Sequence, residues 1–386
     1  MLSGNKRLII FFFFIIIIYA LTSAGKTPYD YFTRLADAFV HGRLYLTEQP
    51  SWLSELIPTG DEKFYVVQPP MPAILLVPFV FIFGSNFPQQ IIAHIIGAAI
   101  AIVCVRLSLK FTKNKAVTLW MGVFGAFGTI MWYEASNGSV WLLGQLTAAL
   151  FLLLAINESL GRKRLFLVGL FIGAAYLARV HTIVSGLFFV YLLRDQLLIK
   201  PKNIIKFALG LSVFIGFNAI YNFVRFGVPW DKGYFLIPGI YDEPWFDRGM
   251  LNIAYIPRHL DALFLRLPNV SKEFPYITPS WYGLSIALTS PAFIVALKNN
   301  IRDHEVRLAW LTVLLIFMIL ALRGGTGWTQ FGYRYAVDFY PFLLYLLARR
   351  LSKTGVTKTH WVLLLVGVIV NLWGVIWINK MGWVSF

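Results

Sequence analysis

Apolar residues along this chain gather in long runs, parted by polar stretches of two kinds, short and basic or long and mixed. Residues 8–24, 91–109, 116–133, 140–156, 204–223, 281–297, 308–322, 335–348 and 361–378 are each long enough, allowing for tilt, to cross a hydrocarbon core of roughly 30 Å. Two regions are ambiguous. Residues 71–84 (MPAILLVPFVFIFG) number only 14, follow Pro69 and Pro70, and contain Pro72 and Pro78. That length and composition suit a re-entrant or interfacial segment, the prolines turning the chain without leaving unpaired N–H groups in lipid. Residues 165–193 are 29 long, or about 44 Å as a helix, too long for one span and short for two, and the polar run Ala178 to Thr182 interrupts them.

Lys and Arg collect in short cytoplasmic loops, and this rule settles both regions by parity. The basic clusters are Lys6 and Arg7; Arg106, Lys110, Lys113 and Lys115; Arg162 to Arg164; Arg194, Lys200, Lys202 and Lys206; Lys298, Arg302 and Arg307; and Arg349, Arg350, Lys353 and Lys358. They share one side only if 71–84 does not cross and 165–193 crosses twice. That side then carries 20 of the 34 basic residues and four acids (Glu158, Asp195, Asp303, Glu305), while the other carries 14 of each sign. The expected architecture is an all-α polytopic membrane protein of about 11 transmembrane helices, N-terminus inside and C-terminus outside. Residues 1–386 form one membrane domain with outward loops 25–90 and 224–280, the first of them holding interfacial and re-entrant helices.

Composition agrees: 58% hydrophobic residues, 13% charged and a mean hydropathy of +0.68 exclude an ordinary soluble domain. Because the charge sort puts the entire net +16 on the inner face, it reports orientation and contact with anionic membrane lipid, not nucleic-acid binding. Lys6 and Arg7 before an apolar run, with Thr22-Ser23-Ala24 after it, resemble a signal peptide; its 17 residues and the ten spans that follow favour an uncleaved first span. Cys104 stands alone, so neither a disulfide framework nor a Cys-based metal site is expected. The sequons at Asn137 and Asn269 match a pattern common by chance.

Long ordered loops are usually functional, and the outward ones hold most of the acids. Phe32, Leu35, Ala36, Phe39 and Val40 recur at helical spacing and predict an amphipathic helix on the membrane surface, stopped at Gly42. Asp30, Asp37 and His41 share one face of it, as a solvated polar face or as site residues. Glu55 follows. The second loop contains YNFVRFGVPWDKGY, with Arg225 and Tyr234; Trp230, Trp245 and Tyr255 stand near Arg248, Arg258, His259 and Arg266. Such aromatics suit a membrane-interface belt or the stacking of sugar rings. A third outward segment runs RGGTGWTQFGYRYAVDFYP from Arg323, and includes Tyr333 and Tyr335.

Charge at membrane depth costs about 2.5–3.5 kcal/mol on the lenient scale, so Arg334 and Asp338 at the mouth of a span need a reason. Two are open: a structural Arg334–Asp338 ion pair, or an arginine whose planar fork meets phosphate oxygens. Arg179 and His181 pose the same choice at the tip of a short hairpin, expected to lie in a protein-lined cavity.

Together PYDYF with Asp30, LADAFVHGRLYL, QPPMPAILLVPF, YNFVRFGVPWDKGY and FGYRYAVDFYPF resemble the membrane-embedded GT-C glycosyltransferases, the class of protein O-mannosyltransferases and lipid A aminoarabinose transferases. The resemblance covers almost the whole chain through short motifs whose order and sidedness carry it. It implies a cell-envelope enzyme of a prokaryotic plasma membrane. Such a transferase passes a hexosyl or pentosyl group from a polyprenyl-phosphate donor to an acceptor glycan, lipid or protein at the extracytoplasmic face. It also implies an acceptor-activating carboxylate in the first loop, Asp30 first, then Asp37, then Glu55. Donor or acceptor would meet Arg334, Arg179, His181, Arg225, Tyr333, Tyr335, Tyr234 and His41. The chain lacks the adjacent Asp-Glu pair of the O-mannosyltransferases. It also shows neither the WWDYG motif nor the large C-terminal soluble domain of the oligosaccharyltransferases, so that branch and its metal dependence are not expected. No cofactor is implied, and a divalent metal is left open without being indicated. The alternative is a transporter or flippase of a lipid-linked or small polar substrate, which midplane charges and broken helices also suit. It predicts internal symmetry, which this sequence does not show.

Overall fold

The computed structural model describes residues 4–327 and 330–384, leaving Trp328 and Thr329 of the third outward segment outside the described residues. Helix α1 (Gly4–Leu21) runs from Lys6 and Arg7 to Thr22, whose hydroxyl meets that of Ser136 at 3.1 Å. Three elements separate it from the next long helix. These are α2 (Tyr31–Val40), a hairpin of β1 (Leu56–Pro58) and β2 (Phe64–Val66) in antiparallel register, and α3 (Met71–Phe83). Helix α4 (Gln90–Ser108) starts where the Gln89 amide holds the carbonyls of Tyr29 at 3.3 Å and Gly138 at 2.7 Å, beside the end of α1. So α3 leaves the chain at the end of the bundle it started from, as the charge parity requires.

Helix α5 (Lys115–Phe127) is started by Asn114, whose side chain caps Ala116 at 2.9 Å; α6 (Met131–Asn137) continues it across a 49° bend. Helix α7 (Val140–Ser159) returns. Residues 165–193 then behave as two passes. Helix α8 (Leu165–Ala178) stops at Arg179, and a 3₁₀ turn (Val180–Ser185), α9 (Gly186–Leu192) and α10 (Arg194–Leu197) lead to α11 (Pro201–Phe226). Helices α8 and α11 run in the same direction: Gly169 lies against Phe207, Gly173 against Leu211, and Tyr176 accepts from Asn218 at 2.8 Å. The segment between them therefore carries the chain back. Glycine makes this contact: a Cβ on Gly169 would fall 2.1 Å from the Phe207 carbonyl oxygen, and one on Gly210 2.0 Å from that of Phe166.

The second outward loop holds α12 (Ile256–Phe264). The predicted span 281–297 is not one helix. It is a four-residue α13 (Ile286–Thr289) and a 3₁₀ helix (Pro291–Lys298), because Pro291 offers no N–H and forces Ser290 to φ −147°, ψ 54°. Helix α14 (His304–Ala321), capped by Asp303, a 3₁₀ turn (Arg334–Asp338), α15 (Tyr340–Thr354) and α16 (Lys358–Ile376), extended by a π turn, complete the bundle.

Among the described residues, five helices are long and apolar enough to cross a membrane: α4, α7, α11, α14 and α16 with its extension; the bent α5–α6 pair makes a sixth if it is one span. The basic clusters meet at one end. The Lys110 ammonium lies over the Gly161 turn, Phe111 packs on Tyr345 at 5.8 Å, and Trp120 donates to the His360 carbonyl at 2.9 Å. Arg349 binds both Asp303 and Glu305, and His304 stacks on Tyr191. The opposite end carries the polar loops. One expectation is corrected there: Phe32, Leu35 and Ala36 of α2 are buried against protein, so this amphipathic face docks on the bundle instead of resting in lipid.

Candidate active site

Glu55 sits where the first loop turns into β1, its amide donating to the Tyr31 hydroxyl at 3.1 Å. Its carboxylate accepts from Trp141 Nε1 of α7 at 2.9 Å and from the Gln68 side-chain amide. It faces a cavity of about 410 Å³ whose walls include Tyr29, Trp52, Trp141, Trp245, Tyr282 and Tyr335, together with Glu243, Arg323 and Arg334. Burial pushes the Glu55 carboxyl above its ordinary value, against the pull of the Trp141 hydrogen bond and of the Arg323 and Arg334 charges, and with a push from Glu243.

The two arginines reach this cavity from opposite sides of the third outward segment. Arg323 leaves the end of α14 and pairs in a β-bridge with Leu251. Its guanidinium lies 4.2 Å from the Tyr234 ring centroid, and burial, then the neighbouring Glu55 charge, raise the Tyr234 phenol above its usual pKa against the pull of Arg323 and Arg179. Arg334 opens the 3₁₀ turn before α15. Gln145 of α7 donates to its carbonyl at 2.9 Å, and its amide donates to Gln330 Oε1 at 3.2 Å. Its guanidinium is 5.1 Å from the Tyr335 ring and 6.0 Å from that of Trp141. Among the described residues neither arginine has a carboxylate within salt-bridge distance, and the Nε of each lacks a hydrogen-bond partner. Gly327 makes room for this: at φ +98°, a Cβ would fall 2.5 Å from Gln330 Oε1 and 3.0 Å from Arg334 Nε.

Of the two readings of Arg334, the pair with Asp338 is not formed. Asp338 is instead held by Arg179, at 3.1 Å to Nε and 2.9 Å to Nη2, and by His181 Nε2 at 3.0 Å. That triad is buried behind Tyr335, whose ring lies 5.7 Å from the Arg179 guanidinium. The hairpin tip is thus enclosed by protein, as its short arms predict.

Other predicted site residues lie elsewhere. Asp30 and Asp37 line a separate cavity of about 250 Å³ on the far side of α2. There Asp30 binds Arg34 at 2.7 Å, and Asp37 is 3.7 Å from His41 and 3.9 Å from Arg43. Arg225 is turned away from the Glu55 cavity. It stacks on Tyr221 at 3.6 Å and donates to the Val66 carbonyl at 2.7 Å and to Asn222 at 2.8 Å, fastening α11 to β2. Tyr333 is buried one layer back, its hydroxyl 2.7 Å from His259 Nδ1.

Sequence reading left several participants out of the site: Arg323, Trp141, Gln68, Glu243, His259 and Glu134. His259 is fully buried, with Nε2 donating to the Arg323 carbonyl at 2.8 Å and Nδ1 accepting from Tyr333; burial first, then the neighbouring arginines, lower its pKa to about 4. A neutral ring is what this geometry needs. Glu134 of α6 is fully buried, neither carboxyl oxygen has a hydrogen-bond partner, and its charged neighbours are Asp338, Arg334 and Arg179. A lone acid beside an apolar run is itself a site signal. No cluster of three or more His, Cys, Asp or Glu side chains able to hold a metal occurs among the described residues.

No protein-family model matches the chain, and no curated protein matches it significantly. The fold is similar to the crystal structure of ArnT from Cupriavidus metallidurans bound to undecaprenyl phosphate, with TM-score 0.57 and 12% identity over 95% of this chain and 64% of that one. It is likewise similar to ArnT from the same organism in the apo state, with TM-score 0.54 and 12% identity over 95% and 63% of the two chains. The chain thus spans a little under two thirds of the ArnT structures it matches. The neighbour is an aminoarabinose transferase of the GT-C type, and the shared architecture is that fold.

Proposed function

We propose that this chain is a GT-C-type membrane glycosyltransferase that moves a sugar from a polyprenyl-phosphate donor to an acceptor hydroxyl at the extracytoplasmic face. The observation that carries the reading is one cavity in which a desolvated carboxylate, Glu55, faces two guanidiniums free of carboxylate partners, Arg323 and Arg334, between aromatic walls. In this reading the chain crosses the membrane about eleven times with its basic end in the cytoplasm, so that the cavity faces the outer side.

In this reading the acceptor hydroxyl oxygen attacks the anomeric carbon while the bond from that carbon to the phosphate oxygen breaks. Glu55 takes the hydroxyl proton, and its raised pKa brings it nearer the range in which a carboxylate is an effective base at neutral pH. The departing polyprenyl phosphate gains negative charge, which Arg334 and Arg323 stabilise. Trp52, Trp141 and Tyr29 stack on the sugar. Arg179, His181 and Asp338 hold Tyr335 and the start of α15 beneath the phosphate. Asp30 and Asp37, paired with their own cations, steady the first loop.

The experiment is a donor panel. Purified protein is incubated with labelled polyprenyl-phosphate sugars and envelope glycans or lipids as acceptors, and release of polyprenyl phosphate is followed. One donor is expected to be consumed with stoichiometric labelling of an acceptor. Movement of intact lipid-linked substrate between leaflets, with no donor consumed, would favour the transporter reading instead.

A further inference from the structure

The end of the bundle opposite the Glu55 cavity holds a second built feature. A cavity of about 380 Å³ lies between α4, α7 and α8, with Arg106, Lys110 and Arg164 in its wall. Its single acid, Glu158, is fully engaged by Arg164, which donates from its backbone amide at 3.0 Å and from Nε and Nη2 at 2.9 Å each. Arg106 and Lys110 have no carboxylate within 4.0 Å among the described residues. The Lys110 ammonium lies over the Gly161 turn, where a Cβ would come within 2.5 Å of it. Val103 and Arg106 also wall an adjoining groove of about 530 Å³ between α1 and α4, which is otherwise apolar apart from Asn5 and is faced by Leu8, Phe12 and Ile102.

We infer that this pair of cavities is a binding site for one anionic glycerophospholipid, its acyl chain in the α1–α4 groove and its headgroup phosphate on Arg106 and Lys110. The two cations lack counter-charge where the apolar groove ends, so the occupant must be apolar along its length and anionic at its tip. The polyprenyl-phosphate donor shares this chemistry, but the proposed reaction holds its phosphate at the opposite end of the bundle. Arg106 lies sixteen residues along α4 from Gln90, about 24 Å from the end that carries the Glu55 cavity. The inference is therefore independent of the proposed reaction.

Native mass spectrometry of delipidated protein, titrated in detergent with dioleoyl phosphatidylglycerol or dioleoyl phosphatidylcholine, tests it. The wild-type chain is expected to retain one phosphatidylglycerol and no phosphatidylcholine. Arg106→Ala with Lys110→Ala should weaken retention roughly thirtyfold, since each cation contributes about 1 kcal/mol near a membrane surface. Lys200→Ala with Lys202→Ala, which removes the same charge from the same end outside the site, should leave retention unchanged. If the double variant does not fold, Arg106→Gln and Lys110→Gln singly should each weaken binding about fivefold. Equal retention by the Arg106/Lys110 variants, equal binding of phosphatidylcholine, an equal loss in the Lys200/Lys202 variant, or preference for undecaprenyl phosphate would each overturn the site.

Discussion

Two cavities, one lined by α2 and one by Glu55 and the segments around it, treat charge in opposite ways. Asp30 and Asp37 each have a cation nearby, Arg34 four residues on or Arg43 and His41, while Glu48 of the same cavity has no ion pair among the described residues; the lining comes from residues 26–48 with Ser85 and Asn86. Around Glu55 the ionisable groups come from distant segments: residue 55, residue 243, Arg323 and Arg334. There the acid is hydrogen-bonded by neutral donors, Trp141 and Gln68, and the arginines face the cavity without carboxylate partners. Asp30, although buried, has its charge met by Arg34 at hydrogen-bond distance. A buried guanidinium without a carboxylate partner costs free energy in the empty protein, and an anionic ligand offsets that cost. This difference is the ground on which we propose Glu55, and not Asp30, as the base.

The largest effect is expected at Glu55. Glu55→Gln keeps the size and the hydrogen bonds of the side chain but loses the base, and the rate of sugar transfer should fall about 10²- to 10⁴-fold. Donor affinity should change little. A cation at the leaving group comes next: Arg334→Ala is expected to lower kcat roughly 10²- to 10³-fold, and Arg334→Lys to recover only part of it because the planar fork is lost. Arg323→Ala should act in the same direction, read as donor affinity and kcat together.

The pH profile sharpens the assignment. Glu55 has a raised pKa, so its basic form appears only as pH climbs above the ordinary carboxylate value near 4.3. Activity should therefore rise with pH along an acid limb displaced upward from that value, and Glu55→Gln should abolish the limb. His259, with a pKa near 4, stays neutral from pH 5 to 8 and adds no inflection there. Smallest in its effect on turnover is Asp30→Asn, which weakens one charge-assisted hydrogen bond to Arg34 at a buried acid, about 1.5–3 kcal/mol. Its melting temperature should drop by no more than a few degrees, with turnover within severalfold of wild type.

The gross fold was legible because it is written in composition. Basic clusters gather at one end, the short Pro-rich 71–84 stretch forms a helix of only 13 residues, and the Phe32 to Val40 spacing makes a helix. What hydropathy alone cannot show is the backbone inside an apolar run, and Pro291 replaces the expected helix with 3₁₀ structure. The site was legible in its parts and not in its grouping. Asp30 and Glu55 are both acids in one polar loop, and what separates them is contact with Trp141, 86 residues from Glu55, and with Gln68. Arg334 was visible as a charge at the mouth of a span, but its freedom from Asp338 depends on Arg179 and His181 arriving from a different hairpin. Arg323 carried a weaker signal, a cation directly after a span and before two glycines.

Initial rates of transfer by Glu55→Gln and Asp30→Asn, side by side on the same donor and acceptor at neutral pH, test the assignment most directly. The account predicts a loss of at least about 10²-fold for Glu55→Gln and less than about tenfold for Asp30→Asn, both variants retaining donor binding. The reverse order, with Asp30→Asn inactive and Glu55→Gln near wild type, would contradict it and return the base to the head of α2.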